Sequence, residues 1–174
     1  MSSFLGKASS VIWIVAGLIV IVLSALHIKN SHSNIELSCR NSVLEANPDD
    51  GALHKYAMVA NFSLQGRSAR ISYRYYSLTG QPLVTLSMRG KIKSANHGTG
   101  TYVLSLTDSD IQNYQNHTEQ PLHALHLAEF SNRNINNNGA HSLTIQLVKA
   151  LGKNQVLLHF LPSTNLCICS LSQT

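Results

Sequence analysis

From residue 35 onward, apolar and polar side chains alternate along short runs that are separated by turn residues. In Tyr56–Leu64 the even positions are consistently apolar. In Arg70–Tyr75 the odd positions are apolar and the even ones are cationic or hydroxyl. Val84–Lys93, Tyr102–Thr107 and Leu143–Leu147 repeat the pattern, and Ile35–Leu44, Val156–Leu161 and Leu166–Leu171 also read as strands. A period of two places one face of each strand on a core and the other in water, as in antiparallel sheets. Turn signals fall between the runs, at Asn47–Gly51, Gln65-Gly66, Leu78–Gly80, Asn96–Gly98 and Gly152–Asn154. Thr107–Ile111, with Asp at or near the N-cap, predicts the start of one short helix that ends before Pro121. Leu122–Phe130 fits either a strand or a helix, and the Asn-rich stretch Asn132–Gly139 predicts a polar loop.

The expected fold is therefore all-β: an antiparallel barrel or sandwich of about eight short strands with one short helix. The inward set includes Tyr56, Met58, Phe62, Tyr73, Tyr75, Leu86, Met88, Tyr102 and Leu104. A barrel of this size is either filled by such side chains or holds one small ligand. A packed core is the simpler expectation. An apolar pocket with a few tyrosine hydroxyls is the sharper one.

The first thirty residues break the pattern. Positions 8–28 carry no charged residue, and Val11–Leu26 is apolar on every helical face. A helix of that length matches the roughly 30 Å hydrocarbon core of a bilayer. A secretory signal peptide shares the short basic start, but the apolar run continues past a cleavage after Ser24 to Ile28. The expected organisation is a short cytoplasmic tail (1–7), a transmembrane helix (8–28) and a barrel domain (29–174).

The cysteines orient that anchor. Cys39 lies just after the apolar run, and Cys167 and Cys169 lie near the C-terminus. Cysteines at the two ends of a domain suggest a staple joining its first and last strands, which persists in an oxidising compartment. This places residues 30–174 outside the cytoplasm. Cys167 and Cys169 share one face of a strand, so either can reach Cys39. Pairing with Cys167 is slightly preferred, and Cys169 is the alternative. The staple also favours closure into a barrel.

Composition narrows function mainly by exclusion. The chain is 12% charged and carries a net charge of +5, about half the usual charged share and well short of a dedicated nucleic-acid binder. Its 174 residues and 44% hydrophobic content suit one domain plus an appendage. No phosphate-binding loop, nucleophile elbow or zincin motif occurs in it. His123, His126 and Glu129 have i, i+3, i+6 spacing that could gather on a helix, yet no further metal ligand is assigned. The expectation is a non-enzyme without cofactor or metal. Arg70, Arg74, Arg89, Lys91 and Lys93 fall within one acid-free stretch and mark either a solvated face or a surface for an acidic partner or lipid headgroups.

Taken together, the anchor, Cys39 soon after it, Met88-Arg89-Gly90-Lys91-Ile92 followed by Gly100-Thr101-Tyr102-Val103-Leu104, and Cys167 near the end give the chain its family likeness. It resembles the FidL-like family of small bacterial membrane proteins. That family is similar in architecture to the accessory partners of ToxR-like membrane transcription regulators, such as ToxS and VtrC. The resemblance implies a lipocalin-like barrel that pairs with the periplasmic part of a single-pass regulator and, in some pairs, senses bile salts. It transfers no ligand residue. Rival expectations are a stand-alone carrier of an apolar ligand and an envelope assembly factor.

Overall fold

Alternation of side chains lays eight strands edge to edge in the computed structural model. It describes residues 17–18, 34–46, 51–114, 120–152, 154–161 and 165–173. In chain order the elements are β1 (Ile35–Ala46), β2 (Leu53–Gln65), β3 (Ser68–Tyr76), β4 (Pro82–Asn96), β5 (Thr101–Asn113), α1 (Leu122–Asn138), β6 (His141–Ala150), β7 (Gln155–Leu161) and β8 (Leu166–Gln173). Each strand pairs antiparallel with the next, and β8 returns to β1 to close the barrel. These elements belong to one unit, Ser33–Thr174. The segment expected to cross a membrane lies outside the described residues except for Gly17 and Leu18, which are helical. Among the described residues no helix is long and apolar enough to cross a membrane.

The ladders do not all run the full height of the barrel. β1 pairs with β2 along its whole length, from Ile35 to Ala46. Its pairing with β8 runs only from Ile35/Gln173 to Cys39/Cys169. On the other side, β5 pairs with β6 only through Leu106/His141, although β5 continues beside β4 to Asn113. One half of the domain is therefore a closed eight-stranded barrel. The other half is a five-stranded sheet, β1 to β5, against which α1 packs at β1, β4 and β5.

The closed half is filled. Leu37, Phe62, Leu64, Ile71, Leu86, Leu104, Leu106, Ile145 and Leu158 are nearly inaccessible to solvent. A smaller cluster of Met58, Tyr75 and Val84 lies under Ala124 of the helix. Tyr56 and Tyr102 are also buried, and Tyr73 is half-buried.

The expected helix start at Thr107 is instead part of β5. Arg89 pairs with Asp108 and Gly90 with Leu106, so Thr107 is an extra residue on its strand. Such a bulge moves every following side chain to the opposite face. Inward positions are even up to Leu106 and odd afterwards, with Ser109 and Ile111 opposite Met88 and Leu86. The broken phase hides the strand in the sequence. Asp108 is not a cap: it accepts a hydrogen bond of 2.8 Å from Arg89 Nε across the strands. The two strands approach closely at Gly90, where a Cβ atom would collide with the Ser105 carbonyl oxygen.

The Asn-rich stretch is likewise not a loop but the second half of α1, which runs to Asn138. Asparagine disfavours helix interiors by about 0.7 kcal/mol relative to Ala, a deficit that tertiary packing overrides. Small residues supply that packing: Ala124, Ala128 and Ser131 are buried against the sheet. Gly139 stops the helix in the left-handed conformation, φ 73°, and its N–H bonds to the Ile135 carbonyl.

The disulfide corrects the preferred pairing. Cys39 bonds to Cys169, and Cys167 is a free thiol. The register explains it. Cys39 and Cys169 stand directly opposite each other at the last step of the β1–β8 ladder, with Cα atoms 4.1 Å apart. Cys167 lies two residues beyond the end of that ladder, beside Leu158 of β7. Replacing Cys169 with Ser should therefore destabilise the domain by about 2–5 kcal/mol, while Cys167→Ser should leave it nearly unchanged. Denaturant unfolding of the two variants checks this, and equal losses would contradict the pairing.

Candidate functional site

Where β1 parts from β8, the inner faces do not meet, and a cavity of about 880 Å³ opens. That volume lies in the range of small-molecule pockets, about 300–1,000 Å³. Four walls enclose it. One is β1 from Cys39 to Val43; a second is formed by Phe160, Leu161 and Asn165–Cys167 of β7, β8 and their connection. The start of β6 (His141–Leu143) is the third. The fourth is a stripe of α1, His123, Leu127, Phe130, Asn134 and Asn138. That spacing of three or four residues follows one face of a helix.

Of its lining, Cys39, Met58, Ala60, Met88 and His141 are buried, and Tyr73 and Leu127 are half-buried. The exposed lining residues are mostly polar, Asn41, Ser42, His123, Asn138, Ser142 and Asn165, with Phe130 and Leu166 among them. Aromatic rings brace the walls. Phe62, inside the core, contacts Phe160 at 5.5 Å and Tyr73 at 6.3 Å between ring centroids. Phe130 meets His141 edge to face at 5.3 Å.

The helix is positioned by a residue remote in sequence. Glu45, facing inward near the end of β1, accepts hydrogen bonds from the backbone N–H of Leu122 (2.8 Å) and of His123 (2.7 Å). The N–H groups of Ala124 and Leu125 bond to the Pro121 carbonyl at 3.0 and 3.3 Å. All four N–H groups of the first turn are thus satisfied, and the positive end of the helix dipole is met by a carboxylate.

Beside this cap, Tyr75 and His123 share a hydrogen bond of 2.7 Å between Oη and Nδ1. Burial pushes the Tyr75 phenol well above its ordinary range, with Tyr73 and Glu45 adding to the effect. Burial also lowers the His123 imidazole, opposed by Glu45 and aided by His126. Both groups are neutral near pH 7, so the phenol donates to Nδ1 and the ring proton sits on Nε2. His141 is lowered by burial as well, and its Nδ1 is buried without a hydrogen-bond partner among the described residues. Burial raises the free Cys167 thiol and keeps it protonated. The Tyr73 phenol is raised by burial and by that thiol nearby.

The other sequence-predicted residues are placed as follows. Of the inward set, Met58, Tyr73 and Met88 line the cavity, whereas Phe62, Leu86 and Leu104 are packed in the core and Tyr75 supports the helix. His123, His126 and Glu129 all lie on α1, but Glu129 is bound to Arg133 at 2.6 Å and His123 to Tyr75. Among the described residues no group of three His, Cys, Asp or Glu side chains could hold a metal ion. Arg70, Arg74, Arg89, Lys91 and Lys93 are exposed on β3 and β4, on the outside of the barrel and away from the cavity. Arg70 and Arg89 stand opposite each other, and Arg89 also pairs with Asp108 at 2.7 Å. This exposed pair contributes little to stability. Sequence reasoning missed Glu45 and the stripe on α1. Glu45 has no local signal. The stripe is visible as i, i+4, i+7, i+11, i+15 once 122–138 is read as one helix.

These features define an eight-stranded up-and-down barrel whose open half holds a ligand-sized cavity beneath a helix. No family model and no curated protein matches the chain.

Two expectations follow. Glu45→Ala strips the helix of its remote cap and should cost about 1–2 kcal/mol. Faster amide exchange at Leu122 and His123, with the closed half unchanged, is the signature to measure. The two lowered imidazoles bind fewer protons in the folded than in the unfolded chain. Their contribution is complete above the unfolded value near 6.5 and is lost as the pH falls below it. Melting temperature should drop between about pH 7.5 and pH 5.5, and less so in His123→Gln/His141→Gln. An equal drop in that double variant would contradict the assignment.

Proposed function

We propose that this chain is a non-enzymatic binding barrel. In this reading it is held in a bacterial inner membrane by residues 8–28, with the barrel in the periplasm. It binds and stabilises or modulates a single-pass, ToxR-like transcription regulator, and its cavity takes an amphipathic ligand. The observation that carries the binding part is the cavity of about 880 Å³, whose buried lining is mainly apolar and whose exposed lining is mainly polar. Support for the partner comes from the wall beside it. Beyond Cys39 and before Cys169, β1 and β8 are not paired with each other, and unpaired strand edges are natural sites for a second chain. Leu44, Leu166 and Ile168, on those segments, are exposed apolar side chains. A ligand that prefers the paired state raises its population, which is how binding at the barrel passes on a signal. The resemblance to FidL-like proteins leads to the same reading.

A stand-alone carrier is the second reading, because the barrel and helix of this chain suffice to form a cavity of about 880 Å³. An envelope assembly factor using the open edges is the third. Affinity purification of the tagged full chain from solubilised membranes, with mass spectrometry, separates them. Recovery of a single-pass protein with a cytoplasmic DNA-binding domain is expected, and its yield should fall when Leu44 and Ile168 are changed to Asp. Recovery of the chain without such a protein would overturn the partner reading and favour the carrier.

A further inference from the structure

We infer that the occupant of this cavity is an uncharged amphiphile, seated apolar end first, with a hydroxyl-, ester- or amide-bearing head among the asparagine side chains of the exposed rim. The inference rests on the reading of the cavity as a binding site and adds the chemical class and orientation of what it binds.

Three observations support it. First, the buried and the exposed lining differ in polarity. Met58, Met88 and Ala60 are buried, whereas Asn41, Asn138 and Asn165 are exposed beside Phe130 and Leu166. An apolar chain gains by covering the buried lining, roughly 25 cal/mol per Å² removed from water. Second, the asparagine amides of that rim both donate and accept. A glycerol, sugar or amide head also does both, so each can satisfy the other. An ionised carboxylate or sulfonate only accepts, and the amide oxygens beside it stay unmatched. Third, the charges near the cavity are already committed. Glu45 occupies the helix N-terminus, which would otherwise attract an anion. Arg133 is bound to Glu129, and both are exposed. Among the described residues, no Asp, Glu, Lys or Arg lines the cavity. A charged head drawn into this rim loses part of its hydration without gaining an opposite charge. The histidines do not change this balance near neutral pH, because burial lowers both His123 and His141.

The test uses the full chain in phosphatidylcholine vesicles and two photoreactive probes of one chain length, each with a diazirine near the chain end. One is a monoacylglycerol and the other an alkyl sulfonate, which stays ionised. After irradiation, adducts are mapped by peptide mass spectrometry. The monoacylglycerol should label Met58, Tyr73 or Met88 about tenfold more than the sulfonate, the ratio given by 1.4 kcal/mol. Asn138→Arg places a cation at the rim, at a helix C-terminus that tolerates it. It should raise sulfonate labelling of the same residues about tenfold. Equal or stronger labelling by the sulfonate in the native chain would overturn the inference and leave the binding reading standing. An Asn138→Arg variant with the native preference would overturn the orientation. Failure of both probes to label the cavity would sink the binding reading and the inference with it.

Discussion

The seam between β1 and β8 governs the domain. Five residues of β1, Ile35 to Cys39, hold it to β8, and the disulfide stands at the last rung. A longer seam would bring the inner faces together, as they meet in the closed half, and would leave no room for a ligand. A shorter one would leave the barrel an open sheet with two long edges. The covalent bond at the end of the ladder fixes where pairing stops. The cavity is thus a product of arrested closure and not of missing side chains.

The helix completes what the seam leaves open. It could not approach the sheet with large side chains on its buried face, and Ala124, Ala128 and Ser131 keep that face small. The adjacent stripe, one residue earlier in each turn, is turned to the cavity. Glu45 ties its start to the very strand that has parted from β8. The free end of β1 and the helix therefore support each other, and a disturbance at either reaches the cavity wall through Leu127 and Val43. This arrangement joins a rigid, packed half to a half whose wall depends on a few polar contacts.

Much of this was legible in the sequence. Strict alternation in β2, β3 and β4 located those strands and their inner faces, and the cysteines at the two ends pointed to a closed, stapled barrel. The rest was hidden for physical reasons. Thr107 inserts one residue and inverts the alternation, so Asp108 and Asp110 imitate a helix start. The asparagines of α1 imitate a loop because their propensity is poor, and only packing shows why they are helical. The choice between Cys167 and Cys169 depends on a register that no local pattern encodes. The cavity was foreseen only as one of two states of a barrel. The residues that shape it come from α1 and from every strand but β5, and their meeting is a property of where two ladders end.

The position of the disulfide also sets how the domain would bear load. Tension applied between the chain ends can extend only the segments outside the covalent ring, residues 1–39 and 169–174. Everything between Cys39 and Cys169, including the helix and the whole of the cavity wall apart from Cys39 itself, lies within the ring and carries none of that pull directly. A tether to a moving membrane or partner could tug on this protein without drawing open the compartment it encloses.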